Sequence, residues 1–138
     1  MPTDQLREID HIGVMVSDLE AAGAFLSETF GLELEREAEI AALDVKARFY
    51  RCGPVMIELF QPNDPAVAQR DLGGAPAKLE HVAIRVESLP EAIAQLSDLG
   101  VEWMHEQPVE TGPNLSAYTT PATAAGMMFQ LFAPKPEA

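Results

Sequence analysis

Near its start the chain reads Ile9-Asp10-His11-Ile12-Gly13-Val14, and seventy residues later it reads Leu79-Glu80-His81-Val82-Ala83-Ile84. A second pair of matching stretches consists of Met56-Ile57-Glu58-Leu59-Phe60-Gln61-Pro62 and Met128-Phe129-Gln130-Leu131-Phe132-Ala133-Pro134. A sequence that repeats itself in this way predicts a fold built from two similar modules. His11 and His81 occupy one matched position of the repeat, and Glu58 and Gln130 occupy the other.

Each half of the chain has the pattern of a strand, a helix and then three strands. Alternating apolar and polar residues predict the first strand at 8–16. Asp18 and Ser88 are suited to begin the two helices, and Gly31 and Gly100 are suited to end them. The later strands are predicted at 32–37, 44–51 and 54–61 in the first half, and at 101–106, 115–120 and 126–133 in the second. We therefore expect an α+β fold in which two paired βαβββ modules form a curled eight-stranded cup.

The length of 138 residues fits one compact domain. Within it, the repeat places the first module at about 8–62 and the second at about 79–134. Between them, residues 63–78 are rich in proline, glycine, alanine and aspartate, a composition typical of a linker.

Composition limits the partners and the compartment. Nine lysines and arginines against 22 acidic residues give a net charge of −13, which disfavours nucleic acids and anionic membrane surfaces. No apolar stretch approaches the length of a membrane span, and no signal-peptide pattern opens the chain. The single cysteine, Cys52, precludes an internal disulfide and fits a reducing cytoplasm. We read it as a structural residue.

The matched polar residues are candidate metal ligands. Side chains alternate between the two faces of a strand, so His11 lies opposite to Ile12, Val14 and Val16, which we expect the helix to cover. By the same count all four matched residues project from the uncovered face of the sheet. Imidazole, carboxylate and amide donors together suit a divalent ion. The predicted ligands are His11, Glu58, His81 and Gln130.

Five stretches carry a resemblance to a known family. They read Ile-Asp-His-Ile-Gly-Val at 9–14, Ser-Asp-Leu-Glu-Ala-Ala at 17–22, Phe-Gly-Leu-Glu-Leu at 30–34, Ile-Glu-Leu-Phe-Gln-Pro at 57–62 and Leu-Glu-His-Val-Ala-Ile at 79–84. Over roughly residues 8–134 the chain resembles the vicinal oxygen chelate superfamily, and most of all its methylmalonyl-CoA epimerase branch. The resemblance implies that the four predicted ligands hold one divalent ion, which is Co, Ni, Mn, Zn or Fe, and that the protein is a homodimer.

The chain also departs from the epimerase pattern. Ala47 stands where those enzymes carry a glutamate that faces the acidic carbon of the substrate. The ligand of the last strand is usually glutamate and here is Gln130, whereas the first module offers Glu58 in place of a glutamine. Thr120-Pro121-Ala122 replaces a segment that resembles His-Pro-Lys. Glu58 is therefore the predicted catalytic base, with a metal-bound hydroxide as the alternative.

The predicted function is a metal-dependent isomerase, epimerase or lyase that transfers a proton beside a metal-chelated carbonyl. Its small-molecule substrate is an acyl thioester or a carboxylate. Two alternatives are a non-haem iron dioxygenase, because two histidines and one carboxylate match its facial triad, and a ligand-binding resistance protein without catalysis. Arg85 is a candidate for binding a substrate carboxylate. The residues predicted to line a mostly apolar pocket are Met15, Phe49, Met56, Phe60, Leu115, Met128 and Phe132.

Overall fold

The computed structural model of the protein describes residues 4–137. The strands are Leu6–Val16 (β1), Glu33–Ile40 (β2), Val45–Cys52 (β3), Val55–Pro62 (β4), Ala77–Val86 (β5), Val109–Thr111 (β6), Asn114–Tyr118 (β7) and Phe129–Pro134 (β8). The helices are Leu19–Ala24 (α1), which continues into a π-helical turn at Phe25–Thr29, Pro65–Leu72 (α2) and Leu89–Asp98 (α3). Over the described residues, none of these helices combines the length and the apolar character needed to span a membrane.

The eight strands follow the order β2-β3-β4-β1-β5-β8-β7-β6 in one mixed sheet. Strand β1 pairs in parallel with β4, and β5 pairs in parallel with β8, whereas the other pairs with a described register are antiparallel. Each module therefore repeats the same strand order. The α+β class and the eight-stranded sheet of two repeats, both expected from the sequence, are confirmed.

The chain forms two compact units, and the boundaries between them cut β1 and β5. One unit runs from His11 to Glu80, and the other contains the residues up to Asp10 together with those from His81 onward. Gln5 shows why the start of β1 belongs with the second module. Its side chain accepts a hydrogen bond from the backbone N–H of Ser88 and donates one to Glu91, at the first turn of α3.

In the unit from His11 to Glu80, the two faces of the sheet carry separate apolar clusters. The side chain of Asp18 accepts from the backbone N–H of Ala21 and caps α1, as the sequence predicted. Helix α1 covers a cluster built around Val16, Leu19, Leu26, Tyr50 and Leu59. The opposite face carries Met15, Ile40, Val45, Ala47, Phe49, Met56, Phe60 and Leu72. The predicted alternation of β1 and β4 between the two faces is thus confirmed.

In the other unit, α3 packs on one face of the sheet. The Ser88 hydroxyl accepts from the backbone N–H of Glu91, Pro90 lies in the first turn, and Gly100 follows the helix with φ +98°. The cluster beneath the helix contains Val86, Leu89, Ala92, Ala117, Leu131 and Ala133. Leu115 packs against this same cluster. Its prediction as a residue of the ligand-bearing face was therefore wrong, because the parity of β7 places Ser116 and Tyr118 on that face instead.

One prediction of secondary structure was also wrong. Residues 101–106 do not form a strand: Trp103 makes an isolated bridge to Thr119, the chain then bends, and the strand forms later as β6. Pro108, which has no N–H to donate, comes just before β6. The predicted linker contains α2, which Asp64 caps at its start and Gly73 ends at φ +57°. The proline and glycine that indicated a linker are here the first-turn and C-cap residues of a helix.

Candidate metal centre

His11 and Glu58 form the first half of the candidate site. They lie on the parallel strands β1 and β4, where Gly13 is the register partner of Glu58. The Nε2 atom of His11 is 3.3 Å from Oε1 of Glu58, and both side chains are buried. The His11 ring also contacts the ring of Phe49 edge to face, with 5.3 Å between the centroids. Phe49 lies directly opposite Glu58 across β3 and β4.

His81 and Gln130 repeat this arrangement in the other unit. Ala83, two residues after the histidine, is the register partner of Gln130, and Gln130 lies opposite Tyr118. The rings of His81 and Tyr118 meet edge to face at 5.7 Å and an interplanar angle of 90°. Each candidate histidine therefore lies against an aromatic ring of the antiparallel neighbour strand. The two halves match in their surroundings as well as in sequence.

Gln130 belongs to a chain of hydrogen bonds inside its unit. Its amide nitrogen donates to the hydroxyl of Ser116 at 2.9 Å, and the Ser116 hydroxyl lies 2.6 Å from that of Thr111. Ser116 has no exposed surface, and Gln130 is 5% exposed. The sequence analysis missed Ser116, Thr111 and Tyr118. The sequence analysis assigned the alternation of β7 with an error of one residue, and this error concealed Ser116 and Tyr118.

All four predicted ligands are buried. His11 and Glu58 lie together in one unit, and His81 and Gln130 lie together in the other. Two imidazole nitrogens and a carboxylate oxygen, with the amide of Gln130 as the fourth predicted donor, fit a divalent ion of borderline or hard character. The chemistry of the donor set therefore agrees with the metal site that the sequence predicts.

Arg85, the predicted carboxylate-binding residue, is engaged inside the protein. Its Nε and Nη2 atoms donate to the two carboxylate oxygens of Glu8 at 2.7 and 3.2 Å. This bidentate pair lowers the pKa of Glu8 and raises the pKa of Arg85, in both cases mainly through the hydrogen bond. A substrate carboxylate at Arg85 must compete with Glu8. The substrate-binding role of Arg85 stays a prediction.

A different arginine lies on the ligand-bearing face. The guanidinium carbon of Arg36, on β2, is 3.8 Å from the centroid of the Phe49 ring. Phe49 thus contacts Arg36 and His11 alike. Sequence analysis had little reason to single out Arg36, because it stands among alternating glutamates in 33–39 that resemble a solvated edge strand.

The predicted apolar lining of the first module is a packed cluster. Phe49, Met56 and Phe60 are buried together with Leu72 of α2. Ala47, which the sequence analysis expects at the base position of the epimerases, is only 2% exposed and lies opposite Phe60 and Ala38. In the second module, Phe132 is buried and Met128, just before β8, is partly buried. Contact of these residues with a substrate stays a prediction.

His105 is exposed. Its ring centroid lies 6.1 Å from that of Tyr118. Tyr118 therefore has one histidine ring of the candidate site, His81, and one exposed histidine ring as neighbours.

Three matches to known proteins are found at the level of sequence. Residues 10–119 match the family described as the glyoxalase/bleomycin resistance protein/dioxygenase superfamily. The uncharacterized protein YwkD of Bacillus subtilis is 31% identical over 113 residues, which cover 78% of this chain and 81% of that protein. The mitochondrial methylmalonyl-CoA epimerase of Bos taurus is 26% identical over 108 residues, which cover 77% of this chain and 62% of the bovine protein.

Solved structures share the fold at lower identity. The methylmalonyl-CoA epimerase from Mycobacterium tuberculosis superposes with a TM-score of 0.86 and 22% sequence identity, covering 96% of this chain and 91% of that one. At this identity the likeness concerns the fold alone.

Proposed function

The chain belongs to the glyoxalase/bleomycin resistance protein/dioxygenase superfamily, and from this premise we propose that it is a metal-dependent isomerase of the epimerase type. In this proposal the enzyme moves a proton on the carbon beside a carbonyl group of a small acid or acyl compound. The observation that carries the proposal is the buried pair of His11 and Glu58, whose Nε2 and Oε1 atoms lie 3.3 Å apart. His81 and Gln130 are buried at the matched positions of the other unit. The sequence similarity to the bovine methylmalonyl-CoA epimerase supports the reaction class.

We propose that His11, Glu58, His81 and Gln130 hold the metal, which is Co, Ni, Mn, Zn or Fe. A divalent ion, when bound, stabilises the negative charge that develops on a substrate oxygen as the proton leaves the neighbouring carbon. The edge-to-face rings of Phe49 and Tyr118 hold the two imidazoles in place. The amide of Gln130 contributes no charge, so the four side chains bring a single carboxylate, that of Glu58.

Glu58 is the proposed proton acceptor. It is the carboxylate of the ligand set, and its Oε1 atom is 3.3 Å from His11 Nε2. Burial at 4% exposure removes most of the competing water and favours proton transfer from carbon over exchange with bulk solvent. A carboxylate whose pKa is matched to the proton it takes contributes roughly 10²- to 10⁴-fold to the rate. A metal-bound hydroxide remains the alternative base.

Ala47 distinguishes this chain from the epimerases that it resembles. A methyl side chain accepts no proton, and Ala47 is packed in the apolar cluster that contains Met15, Phe49 and Phe60. We therefore propose that the natural substrate differs from methylmalonyl-CoA, and that a standard assay of that epimerisation gives weak activity or none. Strong activity in the natural sequence would show that another residue takes the proton.

A non-haem iron dioxygenase is the second candidate function. The predicted ligands include two buried histidines and one buried carboxylate, and these donor types are also the ligands of the facial triad that binds iron(II) in such enzymes. The neutral Gln130 as a fourth donor favours the isomerase, because that triad consists of three protein ligands.

The deciding experiment combines metal identification with two activity measurements. The purified protein is stripped, reloaded with each of the five metals, and incubated with a panel of 2-substituted acids and acyl thioesters in D₂O. Exchange of the substrate C–H, followed by NMR, supports the isomerase. Oxygen uptake that requires iron supports the dioxygenase instead. Tight binding of a panel compound without exchange or oxygen uptake identifies a binding protein and refutes both enzymes.

Three further predictions accompany this proposal. We propose that the two modules act as a single domain, that two chains form a homodimer, and that the protein works in the cytoplasm without nucleic-acid or membrane partners. Analytical ultracentrifugation measures the oligomeric state, and fractionation of the source cells measures the location.

A further inference from the structure

A β-bulge sets the direction of Arg36. The register of β2 against β3 pairs Leu34 with Tyr50 and Arg36 with Phe49, so Glu35 is the extra residue of a bulge. Without the bulge, Glu35 would lie opposite Phe49 on the ligand-bearing face. Bulges re-aim side chains, and they are enriched beside active sites. Here the extra residue places a cation where the uninterrupted strand would place a carboxylate.

The position of Arg36 relates it to the candidate metal centre. Arg36, Phe49 and Glu58 are successive register partners across β2, β3 and β4, so they form one row on the same face of the sheet. The guanidinium stacks on the Phe49 ring, and the same ring contacts His11. One aromatic ring therefore separates the guanidinium from the nearest predicted metal ligand.

The charge of Arg36 is not neutralised by the protein. The neighbouring glutamates bind other arginines, since Glu35 pairs with Arg51 at 2.6 Å and Glu37 pairs with Arg48 at 3.1 Å. Within residues 4–137, Arg36 forms no ion pair. The other five arginines each pair with a carboxylate; they are Arg7, Arg48, Arg51, Arg70 and Arg85. In a chain with a net charge of −13, an arginine without an ion-pair partner among the described residues is an unusual feature.

We infer that Arg36 binds a carboxylate of the substrate and thereby selects acids whose carboxylate lies a few bonds from the metal-bound oxygen. The inference rests on the proposed function, because it takes the metal centre as the second anchor of the substrate. Stacking on Phe49 fixes the plane of the guanidinium and leaves its N–H edge available for two parallel hydrogen bonds to a carboxylate. Arg85, already held by both oxygens of Glu8, offers no such free edge.

The test measures binding of malonate to the Mn²⁺-loaded protein by isothermal titration calorimetry. Arg36→Met is expected to weaken malonate binding by at least about tenfold, the scale of one lost charge-assisted hydrogen bond. Arg36→Lys keeps the charge but loses the planar fork, so its malonate affinity is expected to lie between those of the natural protein and Arg36→Met. Arg70→Met is the matched control, because Arg70 lies on α2 and pairs with Asp71, and we expect its malonate affinity to stay within about twofold of the natural protein. Arg85→Met tests the competing carboxylate site. Malonamide, which has no charge, is expected to bind all five proteins alike.

Mn²⁺ affinity is measured separately on each variant. If the natural protein fails to bind Mn²⁺ or any other metal of the set, the proposed function fails and the inference falls with it. If the metal binds but Arg36→Met retains full malonate affinity, the inference alone is overturned. Loss of malonate binding in Arg85→Met but not in Arg36→Met would also overturn it and assign the carboxylate to Arg85. A selective loss in Arg36→Met at unchanged Mn²⁺ affinity supports it.

Discussion

The amide nitrogen of Gln130 lies 2.9 Å from the hydroxyl oxygen of Ser116, and both side chains are buried. An amide nitrogen only donates, so the Ser116 oxygen accepts, and its own proton is available for Thr111, 2.6 Å away. The nitrogen and oxygen of an amide lie on opposite sides of the group. The bond to Ser116 therefore turns the carbonyl oxygen of Gln130, the atom suited to bind a metal, away from Ser116.

The first prediction concerns this orientation. Ser116→Ala removes the acceptor that holds the Gln130 amide, so the amide is free to present its NH₂ group to the metal. We expect the affinity for Mn²⁺ to fall about 10- to 100-fold, as is usual when the partner of a metal ligand is lost. Competition with a fluorescent chelator measures the affinity, and circular dichroism checks that the variant is folded.

The background Gln130→Glu provides the control. A carboxylate presents oxygen in either orientation, so it needs no partner to define which atom faces the metal. We expect Gln130→Glu to bind Mn²⁺ at least as tightly as the natural protein, and the added Ser116→Ala substitution to cost little there. An equal loss of affinity in both backgrounds would mean that Ser116 supports packing and does not orient the amide.

The second prediction distinguishes the proposed role of Glu58 as a metal ligand from its proposed role as the base. Glu58→Gln keeps an oxygen donor but removes the charge and the ability to take a proton, so it should retain some metal and lose most proton exchange. His11→Ala removes a nitrogen donor and should lower metal occupancy directly. The measurements are metal content by elemental analysis and exchange of the substrate C–H in D₂O. Equal exchange in Glu58→Gln and the natural protein would assign the base to a metal-bound hydroxide.

The internal repeat allowed the four metal ligands to be predicted from the sequence. Two similar halves place His11 and His81 at equivalent points, and period-two alternation then gives their faces, because both properties are local and regular. The structure confirms that alternation for β1 and β4. The same reasoning failed for Leu115, because a strand as short as β7 gives too few residues to determine its parity.

Arg36 shows what sequence reasoning could not reach. Its direction depends on a bulge at Glu35, and a bulge shifts parity without leaving a proline or glycine as a signal. Arg85 was the natural choice because it shares the parity of His81, but its pairing with Glu8 joins residues far apart in the chain. Helix α2 was missed for a different reason, since its proline and glycine serve as helix ends there and also suit a linker.

The third prediction installs the missing base. Ala47→Glu places a carboxylate on the ligand-bearing face, where it should raise substrate C–H exchange by about 10²- to 10⁴-fold if the substrate carbon lies within reach. Ala47→Gln is the matched control, because it has the same size and accepts no proton. Exchange that is equal in the two variants would show that position 47 does not face the reacting carbon.

Ala47→Glu is also expected to cost stability. Ala47 is 2% exposed within an apolar cluster, and a carboxyl group there loses much of its hydration. We expect the pKa of the new carboxyl to rise for the same reason. Urea unfolding should therefore show a stability loss for Ala47→Glu that grows from pH 5 to pH 8, as the carboxyl becomes charged, whereas Ala47→Gln should show a loss that does not change with pH.

The fourth prediction concerns the packing of α1 on the sheet. Gly23 faces Tyr50, and a Cβ atom at Gly23 would collide with the Tyr50 hydroxyl and come within 3.1 Å of Arg48 Nη1. Alanine favours a helix over glycine by roughly 1 kcal/mol, which on its own would stabilise the protein. Because Tyr50 is 2% exposed and cannot move aside, we expect Gly23→Ala instead to lower the free energy of unfolding by about 1–3 kcal/mol, the usual cost of overpacking.

A double-mutant cycle with Tyr50→Phe isolates that contact. Phenylalanine lacks the hydroxyl that the new methyl group meets first, so Gly23→Ala should cost much less in the Tyr50→Phe background than in the natural protein. Urea unfolding of the four proteins gives the coupling energy, and the cycle cancels the loss of the Tyr50 hydroxyl itself. The same cost in both backgrounds would show that the hydroxyl is not the obstacle, and that the helix meets the sheet differently at Gly23.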